Sequence, residues 1–253
     1  MLAHVKRGGA VLPVKQATAD NPWMPTGTSH RPDGHLAALD GLPPSCRSAV
    51  MGRCRRRAVT KGAAVWRQGE PADYVVIVVS GKVISWHEAP NGKAGTIGFW
   101  GPGDIAGLGD LGPANTRQHT LRSLEACTLL TLSFRDFEHL IREFPDFSLR
   151  VIRAFSVRLR WVAQLAVALT TTSALQRMCA VLLNLAQRFG VPHEHGVLID
   201  LKLTNEQLAA ICGISRQFAN STLQSLRQQG LLAGAPALVL TDPDALERIA
   251  YQP

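Results

Sequence analysis

The sequence predicts an α+β fold: an N-terminal antiparallel β-roll of the double-stranded β-helix or jelly-roll kind, one long helix, then a C-terminal winged helix-turn-helix. Three observations predict it. Between 36 and 134, short apolar runs are broken by glycine. From Ile152 to Leu169, apolar residues recur at alternating intervals of three and four. From Leu203 to Leu232, "LTNEQLAAICGISRQFANSTLQSLRQQGLL" sets two short amphipathic segments around a "GI" turn.

The chain has 253 residues, 46% apolar and 18% charged, which is the make-up of an ordinary globular protein with room for two modest domains. Twenty-seven Lys and Arg against nineteen Asp and Glu give a formal charge of +8, an excess that favours a polyanionic partner. No apolar run approaches the roughly 20 residues of a membrane helix. "MLAHVKRGGAVLPVKQ" is interrupted by Pro13 and Lys15, so no secretory leader and no membrane partner are expected. Five cysteines (Cys46, Cys54, Cys127, Cys179, Cys212) include no CxxC pair, which points to a reducing, cytoplasmic setting and to no metal site.

Residues 1–35 are rich in Gly, Pro, Thr and Asp and read as a flexible extension, its histidines His4, His30 and His35 being bystanders. The roll spans 36–136. "YVVIVVSG", "GKVISWHE", "GTIGFWGPGD" and "CTLLTLSF" have the β-branched texture of strands, and "APNGKAG" reads as a hairpin with a tight primed turn at Asn91-Gly92. The long helix spans 137–172. Ile152, Phe155, Leu159, Val162, Ala166 and Leu169 form the a/d seam of a coiled coil, with Arg153, Arg158 and Arg160 off it, so the helix is expected to join two subunits.

The C-terminal unit spans 173–253. "TTTSALQRMCAVLLNLAQRFG" predicts a helix ending at Gly190. "LLAGAPALVL" predicts a hairpin that serves as a wing, and "TDPDALERIA" a last helix with Asp242 as cap and Pro243 in its first turn. Between them, Thr204 and Gln207 match a capping box, Gly213 permits a sharp turn and Ser215 caps the second helix. At about 100° per residue, Phe218, Ala219, Thr222, Leu223 and Leu226 share one side of that helix. Arg216, Gln217, Asn220, Ser221 and Gln224 fill the other. An inner side to anchor and an outer side of donors and acceptors is what a recognition helix in the major groove of double-stranded DNA requires. Lys202 and Arg227 are expected to add phosphate attraction.

No GxSxG, HExxH or Walker loop is present, so an enzyme is not expected. A regulatory subunit of the kinase or channel kind would share the roll but lack the helix-turn-helix and wing.

With these residues in view, the chain resembles the CRP/FNR superfamily of bacterial transcription regulators over about 36–251. "RRRAVTKGAAVWRQGEPADYVVIVVSGKV" is similar to the entry into that family's effector roll. "GPGDIAGLGDL" is similar to the turn before its phosphate-binding cassette, and "AICGISRQFANSTLQSLRQQGLL" to its winged helix-turn-helix. The resemblance implies a homodimer, a cyclic-nucleotide-binding-like effector domain, a near-palindromic operator and RNA polymerase as a partner. It assigns DNA contacts to Arg216, Gln217, Asn220 and Ser221, joined here by Thr204, Ser215 and Gln224. Positions 217 and 221 depart from the best-known members, which carry glutamate and arginine there.

Cyclic-nucleotide-binding members also carry a Gly-Glu pair and a later Arg-Ser pair in the cassette. Here Gly107 is followed by Leu108 and Arg117 by Gln118, the loop is one residue shorter, and the base-contacting Thr-Ser of the long helix becomes Val162-Ala163. The resemblance thus implies an effector pocket at Gly107, Leu108, Arg117, Gln118, Val162 and Ala163 that does not bind cyclic AMP in the usual way. Asp110 is a candidate substitute for the missing glutamate. Three alternatives stay open: a cyclic-AMP- or cyclic-GMP-responsive activator, a haem sensor ligated by His87, His119 or Cys54, and a thiol sensor. The last would use Cys54, whose pKa the run "RCRRR" is expected to depress. No cofactor is assigned, and an iron–sulfur cluster is not expected because no cysteine precedes Cys46.

Overall fold

The computed structural model describes residues 39–251 apart from 93, 113 and 114. The extension expected at 1–35, with His4, His30 and His35, lies outside the described residues.

A helix α1 (Pro44–Arg53) leads into strands β1 (Arg55–Val59), β2 (Ala64–Trp66) and β3 (Tyr74–Ser80). Successive side chains of β3 point to opposite faces. Val75, Ile77 and Val79 enter one core with Leu130, Leu132 and Phe137, while Val76 and Val78 enter another with Trp66, Leu121 and Leu129. A strand covered on both faces has no use for polar residues, which is why it reads as one apolar run. Strands β4 (Val83–Glu88), β5 (Ala94–Trp100), β6 (Ile105–Ala106), β7 (Thr120–Ser123) and β8 (Cys127–Ser133) complete the roll. Its two four-stranded antiparallel sheets are ordered β1-β8-β3-β6 and β2-β7-β4-β5, as the expected fold class requires.

The β4–β5 connection departs from expectation. A tight primed turn would need positive φ at both Asn91 and Gly92; only Gly92 has it, at 76°. Glu88 pairs with Ala94, so the connection is wider than a two-residue turn, and Gly92 N–H closes on Ala89 O at 2.9 Å. Further along, the ladder shifts register: Ser85 faces Gly98 and Trp86 faces Thr96, leaving Ile97 unpaired in a bulge.

Helix α2 (Phe134–Glu143) ends where Phe144 takes the extended backbone that a following proline imposes. Helix α3 (Pro145–Thr171) begins at that proline. It buries only Phe147, Val151 and Ala168 against its own chain. Helix α4 (Ala174–Phe189) opens on a capping box made by Ser173 and Gln176. Then come β9 (Gly190–His193), β10 (Gly196–Ile199), α5 (Asn205–Cys212), α6 (Arg216–Gln228), β11 (Leu232–Ala233), β12 (Leu238–Leu240) and α7 (Pro243–Tyr251). The expected wing is the β11–β12 pair, part of a sheet ordered β11-β12-β10-β9. Strand β9 has no alternation to signal it; its "GVPH" carries a proline, tolerated because the strand lies at the sheet edge.

The two halves share one core. Ile84 of β4 and Phe99 of β5 are buried among Met178, Leu182, Phe189, Leu208 and Leu223 of the C-terminal half. At Gly101 the roll's backbone lies so near Phe189 that a Cβ would sit 2.9 Å from its ring. Lys82 reaches across the same boundary, donating to Asp200 Oδ2 at 2.8 Å and Glu125 Oε1 at 3.2 Å. Arg188 of α4 crosses back to Asp104 Oδ2 at 2.8 Å.

Phe99→Ala should therefore act on the joint rather than on the roll. Truncating a buried phenylalanine costs about 3–5 kcal/mol, and calorimetry should resolve an early transition of the C-terminal half. One unshifted transition would show that the halves do not depend on this ring.

Candidate nucleic-acid interface and interdomain cavity

Local hydrogen bonds set the geometry of α5 and α6. Thr204 Oγ1 accepts from Gln207 N–H at 3.1 Å, and the Gln207 side chain accepts from Thr204 N–H at 2.9 Å, completing the capping box. Gly213 closes α5 in the left-handed region at φ 62°, and a Cβ there would lie 2.6 Å from Leu169 Cδ2. Ser215 Oγ then caps α6 by accepting from Phe218 N–H at 3.1 Å. Ala219, Thr222, Leu223 and Leu226 lock α6 to the body.

Arg216, Gln217, Asn220, Ser221 and Gln224 are all exposed, as are Thr204 and Ser215. Asn220 Oδ1 accepts from Asn205 Nδ2 at 2.6 Å, which holds the side chain and leaves its own amide donors outward. Ser221 Oγ turns back to Phe218 O at 3.0 Å. Phe218 corrects the expected inner side: it is 43% exposed. It lies about 90° from the centre of the buried arc, where helical periodicity no longer decides between core and surface. Asn205 and Phe218 are the two members of this surface that sequence reasoning did not find. Lys202 is exposed, whereas Arg227 is half-buried with its Nε–H on Gly234 O at 3.0 Å, so it braces the wing.

The seam residues lie along one exposed stripe of α3. Ile152, Phe155, Leu159, Val162 and Leu169 are exposed large apolar side chains, Leu159 at 58%, and Ala166 is exposed beside them. Leu149 extends the stripe by one turn and was not anticipated.

The cassette residues do not come together as one site. Gly107 (φ 95°) and Leu108 start a short 3₁₀ turn and line a cavity, but Val162 and Ala163 face outward on α3. Arg117 is 1% exposed. It donates to Asp110 Oδ2 at 3.1 Å and Tyr74 O at 2.7 Å, with its guanidinium carbon 4.0 Å from the Trp66 ring centre. Asp110 also accepts from Gln118 N–H at 3.2 Å, so its carboxylate is occupied and it does not take the place of the missing glutamate. Gln118 is exposed and bonds Thr116 O at 3.1 Å.

The sensor candidates are scattered as well. His87 is exposed, with Nδ1 3.0 Å from Gln118 O, and its ring centre is 6.1 Å from that of His119. Burial lowers the His119 pKa. The expectation of a depressed Cys54 pKa is reversed: burial, with the Asp136 carboxylate adding to it, pushes the thiol up to about 11. The neighbouring arginine side chains of β1 point largely to solvent and do not offset this. Among the described residues no group of three or more His, Cys, Asp or Glu side chains could hold a metal ion, and no helix is long and apolar enough to cross a membrane.

With that geometry described, the likeness to known proteins is specific. Residues 56–144 match the family described as Cyclic nucleotide-binding domain, and residues 176–249 the one described as Crp-like helix-turn-helix domain. The chain is 28% identical over 216 residues to the "CRP-like cAMP-activated global transcriptional regulator" of Mycobacterium tuberculosis (strain ATCC 25618 / H37Rv), across 84% of this chain and 95% of that protein. It is similar to the c-di-GMP responsive global regulator CLP of Xanthomonas campestris, with 25% identity and a TM-score of 0.67 over 79% of this chain and 100% of that one. FixK2 from Bradyrhizobium japonicum shares the fold, with 21% identity and a TM-score of 0.70 over 79% and 98% of the two chains.

Because only the thiolate reacts with an alkylating agent, iodoacetamide labelling of Cys54 should climb about tenfold per pH unit from about pH 8 to 10. A rate already level below pH 8 would mean a low-pKa, sensor-like thiol.

Proposed function

The chain belongs to the CRP/FNR superfamily of bacterial transcription regulators, and we propose that it works as a homodimer that grips a near-palindromic duplex site through α6. That it is a DNA-binding regulator follows from its family. The finer reading is carried by one observation: the outer face of α6 is polar and exposed while caps and core contacts fix its inner face.

In this reading the contacts divide into two kinds. Ser215, Thr204 and the free amides at the start of α6 hold phosphates and set the register. Arg216 offers two donors to a guanine, and Gln217, Asn220 and Gln224 offer paired donor and acceptor to adenines; Ser221 suits either base type or a phosphate. Phe218 adds an apolar surface for a thymine methyl group. The exposed stripe of α3 is covered by the same stripe of a second copy, which places two recognition helices about 34 Å apart on successive major grooves. The bound dimer, acting in the cytoplasm, then presents itself to RNA polymerase. The chain divides for this work into the effector roll at 36–136, the segment 137–172 and the DNA-binding unit at 173–253. Within the middle segment the pairing helix is α3 (Pro145–Thr171) and not the whole span, because Phe144 breaks the helix before Pro145.

The roll does not take cyclic AMP in the usual way in this proposal. The mycobacterial relative is named for activation by cAMP. Here, however, the arginine that would meet a phosphate is sealed between Trp66, Tyr74 and Asp110, and leucine and glutamine replace two polar partners.

Gel-shift competition between a specific duplex and random DNA, at two salt concentrations, tests the reading. Arg216→Ala should weaken specific binding by about 1–3 kcal/mol and relax one base position, with the dimer mass unchanged; undiminished specificity would remove Arg216 from base contact. Leu159→Glu should give monomers with weak half-site binding, and a dimeric mass by light scattering would contradict the seam.

A further inference from the structure

The outer face of α6 carries three amide side chains, and one of them differs from the other two. Asn220 Oδ1 accepts from Asn205 Nδ2 at 2.6 Å, across fifteen residues of chain and from a different helix. Among the described residues, Gln217 and Gln224 have no such bond within the chain. Both asparagines are exposed, and a hydrogen bond open to water adds little stability, so the fold itself does not need this one.

Both ends of the bond are rigidly placed. Asn205 is the first residue of α5, directly after Thr204, which the capping box with Gln207 fixes at 3.1 and 2.9 Å. Asn220 follows Ala219 and stands three residues before Leu223, and both of those are 0% exposed. Two short side chains thus meet between anchored helices, with little freedom to meet in any other way.

The consequence is chemical. The last torsion of an asparagine is broad and roughly two-fold, so the side chain alone does not choose where its oxygen and nitrogen point. A base edge does distinguish them. Adenine presents an acceptor at N7 beside a donor at N6, and an amide turned by half a revolution would set acceptor against donor in the wrong order. The bond from Asn205 uses one of the two lone pairs on the Asn220 carbonyl and leaves the other, with both amide hydrogens, available. An amide already set in this way does not have to be ordered when the duplex arrives.

We propose that Asn205 is a positioning residue for base reading. By holding the Asn220 amide in one of its two orientations, it sets the preference at one operator position without touching the base there. This rests on the DNA-contact reading of α6 and adds to it a residue from outside the recognition helix.

The test uses the full chain and duplexes that the wild type enriches from a random-sequence pool. Asn220→Ala marks the position whose preference depends on that amide, and competition gel shifts then compare the four base pairs at that position. Asn205→Asp can only accept, so it draws the Asn220 amide hydrogens inward and reverses the amide. An aspartate suits the first turn of a helix, so this variant keeps the fold. Its charge weakens all duplexes alike, an effect that cancels in the ratio among the four. That ratio should fall about tenfold or more in Asn205→Asp. It should fall by less in Asn205→Ala, where the amide is free to turn, and preferences at the other positions should hold. Ratios that both variants leave unchanged, even where Asn205→Ala weakens every duplex equally, would put Asn205 on a phosphate and overturn the proposal. So would an Asn220→Ala that relaxes no position, with the DNA-contact reading left standing. A pool in which the wild type enriches no sequence sinks that reading, and this one with it.

Discussion

Phe99 and Ile84 leave the roll to complete the core of the C-terminal half, and the placing of every functional surface depends on that shared core. Apolar burial is not directional, so it cannot fix orientation by itself. The polar groups at its rim can. Lys82 is buried between Asp200 and Glu125; burial alone would lower its pKa, but the two carboxylates more than offset this and raise it. A lysine raised in the folded state contributes fully below its ordinary pKa and loses that contribution as pH rises through the raised value, so the bridge is in force across neutral pH. Such a pair adds little net stability, but removing one member strands the other, which makes it a register device. Arg188 on Asp104 acts likewise from the opposite side.

The two arginines at the heart of the roll have the same chemistry and opposite situations. Arg117 is enclosed by a carboxylate, a backbone carbonyl and two aromatic faces, so its charge is neutralised within the chain. Opening it to a phosphate would break a buried ion pair, and the ligand would have to outbid Asp110 before gaining anything. Arg158 has a carbonyl and one indole and no ion-pair partner among the described residues. The two arginines thus stand at one cavity in different electrostatic states, Arg158 in its wall and Arg117 behind Asp110. Asp110 seals the first arginine, and the β5 bulge frees the Ile97 carbonyl that holds the second.

What the sequence disclosed follows from which forces are local. The capping box at Thr204, the αL glycine at 213 and the cap at Ser215 are bonds within four residues, so they can be read from spacing. The stripe on α3 follows from period alone, and strand β3 from an unbroken β-branched run bounded by a glycine turn. Whether Phe218 is core or surface depends on what packs beside it, and a residue at the margin of a helical face does not record that. The Cys54 thiol goes the other way for a related reason. "RCRRR" puts positive charge nearby in sequence, but Arg55 and Arg56 point to solvent and Arg53 and Arg57 are bonded elsewhere. The Asp136 carboxylate of α2 adds to burial. The cavity was illegible because Ser85, Arg158 and Asn184 meet only through the tertiary fold.

Leu169 joins the two proposed surfaces. It belongs to the exposed stripe of α3, and its Cδ2 lies where a side chain on Gly213 would have to go. The turn between α5 and α6 thus rests directly on the end of the pairing helix. Arg177 tightens the same junction, donating Nε–H to Cys212 O at 3.0 Å and an Nη1–H to Thr172 O. These bonds make the end of α3, the start of α4 and the end of α5 one rigid corner. Packed corners are bistable rather than continuously deformable. If α3 pairs with a second α3 as proposed, a shift in that pairing reaches the recognition helix through this corner, without passing through the roll at all. Asn184 and Arg188, which line the interdomain cavity, sit on α4, the other arm of the same corner.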